Sequence, residues 1–254
     1  MFLDVKRMIG FNVVAEDGEF GKVEDILIDD QTWEMRYLVV DTGTWLSGRS
    51  VLVSSTAVRR PDWSGQFIPV SLTKQQIEAS PPLEKDKPVT RDFEEVIHMH
   101  FDWEPYWVRG PLEGTRKVEQ EEAEEEEERE EEEARRAESA TDEPNRHLRR
   151  VNEILGYHIH ASDGDIGHID DFIVDDEGWI LRYAIVDTHN WLPDRKVLIA
   201  MSWLEDIHED TSKIDVDLTR EQIKNSPEWD TKTTLRRPYE ELLFDHYKRE
   251  KYWL

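Results

Sequence analysis

Eight aspartates fall into two matching sets, Asp25, Asp29, Asp30 and Asp41, then Asp171, Asp175, Asp176 and Asp187. Converging carboxylates could hold a divalent cation or work as an acid/base pair. Calcium requires about six to eight oxygens, and an EF-hand loop supplies them at alternating positions around a turn glycine. Neither set has that spacing. Turn capping and hydrogen bonding to Arg36 or Arg182 is the favoured reading, with a bound cation as the alternative. Among the histidines, His98 and His100 would point to different faces of a helix, whereas His158 and His160 would share one face of a strand and could ligate. A zinc site needs a third or fourth ligand, which is not identifiable, and only His100 recurs in the second half, as His246. Ser54-Ser55 lacks a nucleophile-elbow context, and no glycine-rich phosphate-binding loop is present. The chain has no cysteine, which removes thiolate chemistry and disulfides. The expectation is a protein with no catalytic residues, no metal and no cofactor.

The aromatic side chains are the better prospect. Trp33, Trp45, Trp179 and Trp191 lie at or beside turns, and Trp103, Tyr106, Trp107, Tyr252 and Trp253 cluster at the ends of two units. Large aromatics pack at core edges or anchor interfaces. The two readings merge if the interface lies between the units.

Those units are two copies of one segment. Gly18 and Gly21 recur 146 positions later as Gly164 and Gly167. The same offset carries Trp33 onto Trp179, Arg36-Tyr37 onto Arg182-Tyr183, and Tyr106-Trp107 onto Tyr252-Trp253, without a gap. A register held this long marks duplication of a whole folding unit, with two homologous units able to pack about a pseudo-twofold axis. We divide the chain into repeat 1 (1–112), a glutamate-rich linker (113–146) and repeat 2 (147–254). Within each copy, short apolar runs separated by turn signals read as five or six strands of a small barrel or sandwich. The segments are 9–14, 21–28, 35–41, 50–53 and 67–70. Gly18 and Gly21 are expected at positive φ or close backbone approach. Thr73 and Gln76 have capping-box spacing, repeated by Thr219 and Gln222. Further helices are expected over 92–101 and 238–252, the second resting on Tyr239, Leu242, Leu243 and His246.

The pattern Asp17-Gly18-Glu19-Phe20-Gly21-Lys22-Val23, then Asp25-Ile26-Leu27-Ile28-Asp29, then Met35-Arg36-Tyr37-Leu38-Val39-Val40, resembles a PRC-barrel domain. So does Asp163-Gly164-Asp165-Ile166-Gly167-His168-Ile169 with Asp171-Phe172-Ile173-Val174-Asp175 and Leu181-Arg182-Tyr183-Ala184-Ile185-Val186. The resemblance covers most of 5–83 and 151–229. That family includes the cytoplasmic part of the H subunit of purple bacterial photosynthetic reaction centres and the C-terminal domain of a ribosome maturation factor. It implies two small β-barrels, mainly β with flanking helices, used for protein–protein contacts without enzymatic chemistry. A small-molecule or metal-binding regulator is the alternative.

Charge narrows the partners. The formal net charge is −26, and residues 113–143 hold sixteen acids against five bases. Both repeats are acidic as well. Nucleic-acid binding replaces counterions with Lys and Arg, so this chain is expected to repel it and to favour basic protein partners. The linker is read as a solvated, partly helical spacer. No apolar run reaches the roughly 18–20 residues of a membrane span, and a cytoplasmic location is expected. The copies differ in charge at Arg59-Arg60 against Glu205-Asp206, and in the segment Ser47-Gly48 against Pro193-Asp194. These divergent positions are where separate partners would be met.

Overall fold

A strand of each repeat is donated to the other. In the computed structural model, which describes residues 2–84, 87–107, 147–188 and 195–253, strand β1 (Phe2–Asp4) pairs with β9 (Gly164–Asp175), and β7 (Leu148–Arg150) pairs with β3 (Gly18–Asp29). The linker and the readings made at Trp191, Pro193 and Asp194 lie outside the described residues.

Repeat 1 contributes β2 (Asn12–Ala15), β3, β4 (Met35–Asp41), β5 (Ser50–Ser54) and β6 (Phe67–Pro69), in the order β5-β4-β3-β2-β6. Helices α1 (Lys74–Ala79) and α2 (Arg91–Phe101) follow. After β7 comes the short α3 (Val151–Ile154), then β8 (His158–Ala161), β9, β10 (Ile180–Asp187), β11 (Lys196–Ala200), β12 (Leu204–His208) and β13 (Lys213–Val216). The order in this sheet is β11-β10-β9-β8-β13-β12, and α4 (Arg220–Lys224) and α5 (Arg237–Tyr247) end the repeat. Inward positions along the central strands are mostly apolar, with Asp25, Asp29 and Asp171 as buried exceptions on β3 and β9. β4 reads Met35, Tyr37, Leu38, Val39 and Val40, all buried, and β10 repeats it with Leu181, Tyr183, Ala184, Ile185 and Val186.

The expected barrels are open sheets. Neither ladder closes strand to strand. The two edges of the second sheet, β11 and β12, are instead consecutive in the chain and joined by the 3-10 turn Met201–Trp203. In repeat 1 the matching turn is Ser55–Ala57, after which Val58 bridges Val70 and the Arg59 N–H donates to the Pro69 carbonyl at 2.8 Å. A covalent corner thus does what a last ladder would do.

The two glycines of each copy play separate parts. Gly18 and Gly164 have φ of 137° and 127°, open to glycine and strained for other residues. At Gly21 a Cβ would lie 2.4 Å from the Asp41 carbonyl oxygen, and at Gly167 2.3 Å from that of Asp187. These are the places where β3 and β9 bend across their neighbours. Gly21→Ala is expected to cost about 2–3 kcal/mol by overpacking, read as a shift in urea midpoint. A loss under about 0.5 kcal/mol would show that the strands part freely there.

The capping boxes form as the sequence indicates. Thr73 Oγ1 accepts from Gln76 N at 3.3 Å and Gln76 Oε1 from Thr73 N at 2.9 Å, and Thr219 and Gln222 repeat both bonds. Helix α5 is shorter than expected, because Lys248 adopts φ 54° and ends it. Its buried face is also different. Leu242 is 56 % exposed, while Glu240, Leu243, Phe244 and Tyr247 face inward. The error has a physical cause: the core stripe contains a glutamate, which sequence periodicity assigns to solvent.

Candidate functional site

Two features stand out for possible function: the seam between the repeats and the polar network under each long helix.

At the seam, the pairing is reciprocal at the 146-residue offset. Phe2 lies opposite Asp175 and Leu148 opposite Asp29; Asp4 lies opposite Ile173 and Arg150 opposite Leu27. The Lys6 N–H donates to Asp171 Oδ1 at 2.8 Å, and the Asn152 N–H donates to Asp25 Oδ1 at 3.2 Å. In the middle, the Met35 N–H donates to the Trp179 carbonyl (2.8 Å) and the Leu181 N–H to the Trp33 carbonyl (2.7 Å). Glu34 bridges Ile180, its own counterpart in the other copy. Trp33 and Trp179 adopt φ of 57° and 54°, a left-handed conformation that aims their carbonyls across. One apolar cluster spans both repeats, including Val5, Met8, Val151 and Ile154 from the exchanged arms.

The arms differ in charge. Arg149 pairs with Asp30 at 2.7 Å and with Glu209, and Arg150 stands 3.7 Å from Asp25. On the other side Asp4, not an arginine, faces the equivalent pocket. Burial pushes the Asp171 carboxyl up to about 7, against the lowering effect of the Lys6 and Phe172 N–H bonds, and the nearby charge of Asp4 adds to the rise. Burial also raises Asp4 and Asp25.

Under α2, Glu94 is fully buried. It accepts from Tyr37 (3.0 Å) and Tyr106 (2.7 Å) through their hydroxyls and pairs with Arg91 at 3.1 Å. Under α5, Glu240 accepts from Tyr183 (2.7 Å) and Tyr252 (2.8 Å) and pairs with Arg237 at 3.2 Å. Arg36 lies 3.9 Å from the Tyr106 ring and Arg182 4.5 Å from that of Tyr252. Burial, followed by Glu94 or Glu240, drives the Tyr37, Tyr106 and Tyr183 hydroxyls well above the usual phenol range, and Tyr252 up to about 12. The copies part at one position: His98, within 2.7 Å of the Tyr37 hydroxyl, is Phe244 in repeat 2. Burial lowers the His98 imidazole.

The candidate interface aromatics are mostly absorbed by these contacts. Tyr106 and Tyr252 hold the buried glutamates. Trp107 packs on His98 and Arg91, Trp253 on Phe244 and Arg237, and Trp103 stacks on Phe101 at 4.3 Å. Trp45 is half-buried, edge-on to Phe20 and under the Lys74 ammonium at 4.6 Å. Of the divergent charges, Arg60 reaches across to Asp176 at 3.2 Å, whereas Arg59, Glu205 and Asp206 have exposed side chains. Arg60→Ala is expected to cost less than about 1 kcal/mol, since this arginine is largely exposed; thermal melts check it. His100 and His246 do matched structural work, bonding the Gln76 and Gln222 carbonyls at 3.0 and 2.8 Å. Asp29 accepts from Arg36 at 3.0 Å and caps the Gln31 and Thr32 amides, as its turn position suggests. His160 bonds Asp165 at 2.6 Å. Among the described residues no three His, Asp or Glu side chains are placed to hold a metal ion. No described helix is long and apolar enough to cross a membrane.

Sequence reasoning missed Glu94, Glu240 and the exchanged arms. A signal was available for the first two, since Tyr37, Glu94 and Tyr106 all recur at the common offset.

The fold and its contacts define a duplicated, mainly β protein whose two copies share strands. The PRC-barrel domain family matches residues 2–67 and 147–223, more than half of the chain and once per repeat. The chain therefore belongs to the PRC-barrel family, as a tandem duplicate. No curated protein matches it.

Proposed function

We propose that this chain is a non-enzymatic assembly module, a pseudo-dimer of two PRC-barrel repeats that holds protein partners on its divergent outer faces. The observation that carries this reading is the reciprocal exchange of β1 and β7. The exchanged strands tie each repeat to the other, which supports reading their outer surfaces as a pair. PRC-barrel domains occur in interaction and assembly modules, which agrees with it. The glutamate-rich segment favours a basic partner, and contacts made through it weaken as salt screens exposed charge.

The test uses affinity capture with the intact chain and with a chain lacking 113–146, followed by reconstitution from purified components. A direct complex reconstituted by both chains is expected, with the shorter chain less sensitive to salt. Failure of any captured protein to bind directly would sink the reading. Equal salt dependence for both chains would remove the linker from it. The pseudo-dimer has its own check: cleaving the intact protein between 108 and 146 is expected to leave both pieces co-eluting at the intact size. Separate elution would contradict a shared body.

A further inference from the structure

Four large apolar side chains stand exposed among the described residues, and three of them lie on the outer faces of the two long helices. Val96 and Met99 on α2 are 50 % and 84 % exposed, and Leu242 on α5 is 56 % exposed. Val96 and Leu242 are one position at the 146-residue offset. The inner face of α2 is already engaged, with Glu94, Ile97 and His98 buried. Its outer face is not needed to dock the helix on its own sheet. The solvent side of such a helix is ordinarily polar, and a single exposed apolar residue there needs no explanation. Here the position is apolar in both copies, and on α2 Met99 stands three residues further along the same face.

Repeat 2 shows that the fold does not require Met99. Its counterpart is Asp245, which pairs with Lys251 at 2.9 Å, and Lys251 takes the place of Pro105. Helix α5 thus answers its outward charge from within the chain. Helix α2 does not. Asp92, Glu95 and Asp102 are exposed, and their side chains make no ion pair or hydrogen bond with a described residue. Asp92 is four residues from Val96 and Glu95 four from Met99, so each carboxylate flanks one apolar side chain. Both long helices lie outside the segments 2–67 and 147–223 that match the family, so this face belongs to this chain's own additions.

We infer that the outer face of α2 docks a basic amphipathic helix of a partner protein. Apolar side chains of that helix cover Val96 and Met99, and its Lys or Arg side chains meet Asp92, Glu95 and Asp102. Methionine is flexible and moulds to varied apolar shapes. Charge selects the occupant: an acidic helix is repelled by the three carboxylates and by a chain of net charge −26, which steers a basic one inward. The inference rests on the reading of the chain as a protein-binding module and names the surface and the chemistry of the partner.

The experiment follows the Met99 methyl resonance in the full chain labelled with ¹³C-methyl methionine, assigned by its loss in Met99→Leu. The probe is a synthetic lysine/leucine peptide with leucines at i, i+3, i+4 and i+7, against a shuffled peptide of the same composition, at about 0.15 M salt. A saturable shift with the amphipathic peptide alone is expected. Its affinity should fall at least fivefold in Val96→Ser and in Asp92→Asn with Glu95→Gln, and stay within twofold in Leu242→Ser. All four positions are exposed, so the variants keep the core intact. No shift, an equal shift with the shuffled peptide, or unchanged affinity in the α2 variants overturns the inference. So does a Met99 shift on deleting 113–146 alone, which would put the chain's own segment on this face. A partner that reconstitutes with the intact chain and binds Val96→Ser with Met99→Ser undiminished overturns this face while leaving the assembly reading in place.

Discussion

Asp171→Asn is expected to raise the thermal midpoint at about pH 8 and to leave it nearly unchanged at about pH 4. Asp171 is buried beneath the N-terminal arm, accepts the Lys6 and Phe172 amides at 2.8 and 2.7 Å, and has Asp4 close by. Its folded pKa stands at about 7, above the ordinary 3.8. A carboxyl that binds its proton more tightly when folded stabilises the fold fully below the unfolded pKa. That stabilisation declines as pH rises and is gone above the folded pKa. A rise of about three units corresponds to a swing of up to about 4 kcal/mol between about pH 4 and 7. Asparagine keeps the Oδ1 acceptor and never ionises, so the variant's melting curve should flatten across that window. Asp25→Asn is the matched control. Asp25 has Arg150 at 3.7 Å, so neutralising it also removes an ion pair and should bring little or no gain. Parallel pH curves for wild type and Asp171→Asn would refute the assignment.

The other large effect is expected at the buried glutamates. Glu240→Ala should cost about 2–4 kcal/mol, because it leaves the buried Tyr183 hydroxyl without its acceptor and opens a void under the helix. Glu94→Ala should behave alike in repeat 1. Tyr183→Phe removes one donor and leaves the carboxylate with Tyr252 and Arg237, so about 1–2 kcal/mol is expected. Urea denaturation measures the losses. A double-mutant cycle of Tyr183→Phe with Glu240→Gln should show coupling, since the two groups share one hydrogen bond of 2.7 Å. A loss under about 1 kcal/mol for Glu240→Ala would mean that the helix docks through its apolar residues alone.

These two sites show where sequence reasoning works and where it ends. Local signals were legible. Strand β4 was read to its observed limits from Met35 to Asp41, Thr73 and Thr219 cap as their spacing indicates, and Gly21 sits where only glycine fits. The common offset made duplication plain, and the family match falls once in each copy. What was hidden is non-local. Phe2-Leu3-Asp4 and Leu148-Arg149-Arg150 share no visible pattern, because an edge arm held by main-chain bonds needs little from its side chains. Glu94 and Glu240 look solvated until the tyrosines that bury them are placed. The aromatic clusters stand out in the sequence as candidate interface anchors, but Tyr106 and Tyr252 are tied to buried glutamates.

The closure at Glu34 and Ile180 is made by backbone, with flanking bonds from Met35 to Trp179 and from Leu181 to Trp33. A joint of this kind is indifferent to which side chains it carries. It frees the two copies to drift apart in charge and chemistry without losing their grip. It also crosses the lines of inheritance. Compensating changes to residues 2–8 should be sought in residues 164–175 of the other copy, and those to 148–154 in residues 18–29. A descendant that lost one copy would keep an unanswered strand, and would regain its shape by finding a second molecule like itself.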